Sequence, residues 1–272
     1  MTTTAPARVE PAEAIQHVLN RYKPVIRKLL DGTSTNEETF VAQIANALRA
    51  TPKLWLCEPE TVLGAALRCA QLALPPNDGN NLSWIIPYKT TATFQLGYGG
   101  VMELARRAEP GLTFEGRPVY PNDLFDVDFG RAQKLKHRPA ISRGARGMSR
   151  GGEAFAWYVM ARYPDGREHV HVLDRQAVEY HRSFSKQPEG EMWSKSYDAA
   201  ALKSVVLDMR RWLPSSPQLA TAVSADGEVH DVRDMAAAGE VVTSEQRALD
   251  EGAPVPDEID EQWVAEAKGE TS

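Results

Sequence analysis

"AFAWYVMARYPDGREHVHVL", Ala154 to Leu173, is the stretch whose reading decides the fold. Two β-type runs flank Pro164-Asp165-Gly166, a turn signal that predicts a hairpin. In the first run Tyr158 and Met160 share one face, while Phe155, Trp157 and Val159 share the other. A strand apolar on both faces predicts a central strand, covered on both sides. The second run alternates His169 and His171 with valines, as a half-buried neighbour does. Two histidines on one face do not make a metal site, and a polar strand surface is the expectation.

Working outward, "LSWIIPY", "TATFQLGY", "LTFEGRPVY" and "DLFDVDF" add short strands between turn residues from Leu82 onward. The first 76 residues read as helical. Ile15, Val18, Leu19, Tyr22 and Ile26 keep helical spacing, with Pro24 expected to divide that segment. Ser34 or Thr35 is the expected cap of a helix carrying Phe40, Ile44 and Leu48. A third helix, "EPETVLGAALRCAQLAL", is expected to end at Pro75 and Pro76. Helix returns at "DRQAVEYHRSF" and "SYDAAALKSVVLDMRRWL". The expected fold is α+β, one domain over 1–221 followed by an acidic, disordered tail over 222–272. Within that tail, Ile259, Trp263 and Val264 are spaced for a short amphipathic helix.

The net charge of −6 averages two unlike parts. Residues 222–272 hold 14 acidic and 3 basic residues, leaving 28 basic and 23 acidic in the body. Inside the body, Arg131 to Arg150 carries seven basic residues and no acid. With the glycine that follows, it holds three Arg-Gly pairs, which predict flexible, positively charged backbone suited to a phosphate chain. Two cysteines without metal-ligand spacing, no secretory leader and no membrane-length apolar run predict a cytoplasmic protein.

Enzymatic motifs are weak. Gly97-Tyr98-Gly99-Gly100 lies between strand and helix, but a dinucleotide loop needs glycine where Met102 stands, and no P-loop occurs. "GMSRG" around Ser149 matches a nucleophile elbow in letters, within an Arg-Gly stretch that leads into a strand rather than a helix. Asp123, Asp126 and Asp128 offer carboxylates for a magnesium-dependent nuclease, set against a solvated, charged edge strand. Among the aromatics near basic residues, Trp193 and Tyr197 are the candidates for base stacking, over Tyr98, Tyr120 and Trp212.

The runs "IIPYKTTATFQLGYGGVMELARR", "VYPNDLFDVDFG", "HRPA", "GEAFAWYVMARYPDG" and "MWSKSYDAAALKSVVLDMRRWLP" follow one another in a way that resembles the RecT family of phage single-strand annealing proteins. The resemblance spans about Ala65 to Ala222. It implies a Rad52-like core, a small antiparallel sheet crossed by a helix. It also implies binding of single-stranded DNA and annealing of complementary strands without ATP or other cofactor. Partners implied are single-stranded and annealed duplex DNA, further copies in a ring or helical filament, a partner exonuclease, and the host single-strand-binding protein.

On this chain the family's Gln-x-Gly-Tyr motif is Gln95, Gly97 and Tyr98. Gly99 stands where lysine is frequent, with Lys89 or Arg106 to compensate. Met192 precedes Trp193 where proline is common, and Lys203 is the helix lysine, followed by Ser204 in place of a frequent threonine. The DNA-contact set expected is Lys89, Gln95, Arg106, Arg107, Lys134, Lys136, Arg138, Arg143, Arg146, Trp193, Lys195, Tyr197, Lys203, Arg210 and Arg211. The alternatives are the nuclease above and a structural oligomer whose tail recruits recombination partners.

Overall fold

The computed structural model describes residues 22–33, 35–77, 79–130, 134–140, 150–185, 187–214, 216–230 and 235. Contacts divide the chain into two compact units, one of residues 1–100 with 220–272 and one of 101–219. The fold is α+β with small antiparallel sheets.

The first unit opens with three helices, α1 (Lys23–Leu29), α2 (Glu37–Ala50) and α3 (Pro59–Gln71), with a 3-10 turn (Pro52–Leu56) between the last two. Pro24 sits in the first turn of α1, where no backbone N–H is needed, so it starts that helix. The cap of α2 is Asn36, whose Oδ1 accepts from the Thr39 N–H at 2.8 Å. Thr35 therefore does not cap, and Ser34 lies outside the described residues. Helix α3 ends at Leu72, before the prolines, because Ala73 turns into the left-handed region at φ 49°. It packs against a hairpin of β1 (Ser83–Tyr88) and β2 (Thr91–Leu96). Thr61 on α3 ties the two, its Oγ1 accepting from the Ala92 N–H at 3.0 Å.

Helix α4 (Tyr98–Ala108) follows β2 directly. A Cβ at Gly97 would fall 1.8 Å from the Asn81 carbonyl oxygen, and at Gly99 2.2 Å from that of Asn80. The glycines are there for close backbone approach. The frequent lysine has no room at Gly99 in this chain.

In the second unit β6 (Ala156–Arg162) is the middle strand of three, between β3 (Thr113–Val119) and β7 (Glu168–Asp174). Trp157, Val159 and Ala161 face one way, and α7 (Tyr197–Met209) packs across the sheet. Gly116 leaves room for Leu202 of α7 against the sheet. Val119, Ala156 and Tyr158 form a core with Phe125, Leu135 and Val172, which brings in the hairpin of β4 (Leu124–Asp128) and β5 (Lys134–Arg138). Both faces of β6 are thus covered, as its sequence predicts. Helices α5 (Arg175–Ser183) and α6 (Glu191–Lys195) lead into α7, which runs on into a 3-10 turn (Arg210–Trp212).

Strand β5 departs from the expected flexible basic segment. In "KLKHR" the alternation puts Leu135 and His137 inward and Lys134, Lys136 and Arg138 outward. The register sets Lys136 opposite Asp126 and Lys134 opposite Asp128, so acids distant in sequence offset these cations. Helix α8 (Pro217–Ala225) contains the expected boundary at Ala222. Beyond it, Asp226 Oδ1 accepts from the Leu96 N–H at 2.9 Å and the Gly227 N–H donates to the Phe94 carbonyl at 3.0 Å. These bonds tie residues 226–227 to β2. Trp263 and the rest of the acidic tail lie outside the described residues, as do Ile15, Val18, Leu19 and Ser149. No helix among the described residues is long and apolar enough to cross a membrane.

Candidate nucleic-acid interface

The second unit gathers arginines and aromatic rings into one continuous ladder. Its base is structural. Asp123 has a fully buried side chain that accepts from the backbone N–H groups of Tyr120 (3.0 Å) and Ala140 (2.9 Å), from His137 Nε2 (3.1 Å) and from Arg150 (2.8 Å). Burial alone would raise this carboxyl. The hydrogen bonds from Arg150, Ala140, His137 and Tyr120 outweigh it and hold the group well below the usual carboxylate range.

From this node the Arg150 guanidinium lies 3.9 Å from the Tyr120 ring centroid. The Tyr120 hydroxyl donates to Asp198 at 2.7 Å, and Trp157 Nε1 donates to the other Asp198 oxygen at 2.9 Å. Asp198, in the first turn of α7, thereby locks that helix onto β6.

The upper rungs approach solvent. The Tyr197 ring lies 5.5 Å from Trp157 and 5.7 Å from Trp193. Arg175 sits 5.1 Å from Tyr197 and 5.8 Å from Trp157, and Arg182 sits 5.8 Å from Trp193. Each distance is within cation–π range. Burial, followed by donation to Glu179 at 2.5 Å, pushes the Tyr197 hydroxyl up to about 12, so it stays a donor at any physiological pH. Lys195, at the end of the short helix that carries Trp193, has its side chain 70% exposed and paired with Glu191 at 2.5 Å. The outer side of α5 also exposes Tyr180 and Phe184, in edge contact at 4.8 Å.

Of the residues expected to contact DNA, the fold brings the Trp193 and Tyr197 rings together, while Lys195, two residues along α6, pairs with Glu191. Lys89 is in the β1–β2 turn at φ 55°, and Gln95 on β2 lies opposite Trp84 of β1, both in the first unit. Arg106 and Arg107 pair with Glu103, and Arg106 also lies 5.4 Å from the Phe114 ring. Lys134, Lys136 and Arg138 share the outer face of β5. Lys203 is half-buried midway along α7, Arg210 donates to the Leu207 carbonyl at 2.9 Å, and Arg211 pairs with Asp208. Arg143 and Arg146 lie outside the described residues.

Sequence reading passes over Arg175, Glu179 and Arg182. Their i, i+4, i+7 spacing is a legible helix face, which here frames Tyr197 and Trp193. The exposed cations mostly hold carboxylates in surface pairs worth about 0–1 kcal/mol, so exchanging a carboxylate for a phosphate costs little.

The three nuclease candidates separate. Asp123 is saturated by donors inside the fold, while Asp126 and Asp128 alternate on the exposed face of β4 opposite lysines. Among the described residues no three His, Cys, Asp or Glu side chains are grouped to hold a metal ion. His171 Nε2 donates to the Asp208 carboxylate at 2.8 Å, which joins β7 to α7.

Aromatic faces interleaved with guanidinium groups make a surface of the class that suits unpaired nucleic acid, since every base has a π-face and every linkage a phosphate. The family follows from comparison with known proteins. The chain belongs to the RecT family, whose sequence model matches residues 38–242. It is 27% identical to protein RecT of Escherichia coli (strain K12) over 233 residues, covering 82% of this chain and 83% of that protein. It is also 25% identical to the uncharacterized protein YqaK of Bacillus subtilis (strain 168) over 240 residues, covering 84% and 78%.

Proposed function

We propose that this protein binds single-stranded DNA and anneals complementary strands in phage-type recombination, without ATP and as an oligomer. Family membership across most of the chain carries the reading. The ladder from Arg175 and Arg182 through Tyr197 and Trp193 supports it by offering cations and aromatic faces side by side. Annealing requires no covalent step. Cations lower the repulsion between two phosphate backbones, stacked rings hold bases unpaired, and matched base pairs then supply the stability. Lys195, Arg175 and Arg182 take the phosphate role in this scheme, and Trp193 and Tyr197 the stacking role. Further copies of the chain extend the surface along the strand as a ring or helical filament. An exonuclease that exposes single strands and the host single-strand-binding protein are the proposed partners, in the bacterial cytoplasm.

Binding of a fluorescent oligothymidylate followed by anisotropy across a salt series tests the reading. Affinity is expected to fall steeply with salt, and Trp193→Ala to weaken binding about 5- to 100-fold at every salt concentration. Salt-independent binding, or a Trp193→Ala protein that binds as the parent does, would count against it.

A further inference from the structure

At the far end of β7 from the ladder, a cleft of about 500 Å³ is lined by Tyr163, Gly166, Arg167, Glu168, His169 and Trp212. Ladder and cleft lie near opposite ends of a seven-residue strand, about 20 Å apart. The walls are planar and polar. The Trp212 ring is 60% exposed, unusual for the largest side chain unless something covers it. It tilts 36° to the His169 ring with centroids 6.1 Å apart. The Arg167 guanidinium lies 4.6 Å from the Tyr163 ring centroid, so a cation and a second aromatic also line the cleft.

Two further observations point to a ligand. Among the described residues the buried His169 Nε2 has no hydrogen-bond partner, an unmet desolvation cost that an incoming donor or acceptor would relieve. Burial, then the neighbouring His171, lowers the affinity of this ring for a proton, so it is a neutral imidazole able to donate or accept according to tautomer. Gly166 closes the hairpin turn at φ 85° with open space where a side chain would stand, which keeps the mouth clear. Two acids at the rim are matched, Asp165 with Arg167 at 2.6 Å and Glu168 with Arg162 at 2.9 Å, and Glu109 lies near enough to Arg167 and Tyr163 to act on both.

We propose that this cleft is a second station for single-stranded DNA. It holds one nucleotide with its base stacked on Trp212, its polar edge toward His169 and its phosphate beside Arg167. The station rests on the reading of the chain as a single-strand-binding protein, and it extends the contact surface beyond the ladder by the length of the sheet. The Trp212 contact is one of stacking, so it adds affinity without adding to the salt dependence.

Photocrosslinking of the full-length wild-type chain to a 5-iodouracil oligonucleotide tests this without altering the protein. Crosslinked peptides containing Trp212 are expected, alongside those containing Trp193 or Tyr197. In anisotropy titrations Trp212→Ala is expected to weaken binding about 5- to 100-fold at an unchanged salt slope, with Trp212→Phe retaining most of the affinity. Crosslinks confined to the Trp193 and Tyr197 region would overturn the proposal. So would a change of assembly size in Trp212→Ala at unaltered affinity per protomer, which would make the cleft a contact between copies. If the wild-type chain binds no single strand at all, the proposed function itself fails; if it binds and only the Trp212 results are negative, the cleft alone does.

Discussion

Replacing Asp123 by Ala probes the node on which the β4–β5 hairpin, Tyr120 and Arg150 all depend. The substitution strands four donors. The Tyr120 and Ala140 N–H groups and His137 lie inside the fold, with the His137 side chain only 3% exposed. Each buried donor left unpaired costs about 1–3 kcal/mol. Arg150 is 29% exposed, so water takes over part of its solvation and its loss counts for less. The expected destabilisation is about 3–4 kcal/mol, in line with breaking a buried ion pair. For a chain of this size it lowers the melting temperature by roughly 10 °C.

The pH dependence has a definite sign. The folded-state carboxyl lies below its ordinary value, so its contribution is complete above about pH 4 and is lost as pH falls through the folded-state value. Urea titrations of wild type and Asp123→Ala between about pH 3 and 7 therefore predict a gap that is widest near neutrality and narrows in acid. A loss under about 1 kcal/mol, or a gap that widens as pH falls, would refute the assignment of Asp123 as a saturated structural carboxylate. A metal-ligating carboxylate makes the opposite demand, since its removal abolishes cleavage and leaves stability unchanged or raised.

Gly97→Ala is expected to cost about 3 kcal/mol or more in urea unfolding, because the Asn81 carbonyl occupies the place of the new methyl group. Lys195→Gln should leave the melting temperature within about 2 °C, since its exposed pair with Glu191 is weak, while lowering the salt slope of DNA binding by about one. The double substitution Asp126→Ala, Asp128→Ala is expected to leave a magnesium-supplemented oligonucleotide uncut, as in the parent; parental cleavage lost in the variant would revive the nuclease. Truncation after Thr221 should destabilise the first unit by removing Ala222, Ala225 and the Asp226 and Gly227 bonds to β2, whereas truncation after Met235 should preserve its melting temperature.

Local periodicity made much of the fold legible. The two-faced apolar run of β6, the Pro-Asp-Gly turn and the short runs that became β1 to β4 each state their conformation in adjacent residues. The β5 strand has the same alternation, masked by its place in a segment of seven basic residues without an acid. Its neutralising partners, Asp126 and Asp128, arrive only through pairing. Asp123 reads in sequence as one of three carboxylates because the four donors that saturate it come from Tyr120, His137, Ala140 and Arg150, up to 27 residues away. Trp193 and Tyr197 stand out as aromatics beside lysine, yet the arginines that flank them belong to a different helix. The return of Asp226 to β2 bridges 130 residues and leaves no local trace.

The central claim is tested most directly by mixing two complementary labelled oligonucleotides with the full-length protein, without nucleotide, and following duplex formation at rising salt. The account predicts acceleration that fades as salt rises and is weakened by Trp193→Ala. Folded wild-type protein that leaves the annealing rate unchanged at every salt concentration would contradict it.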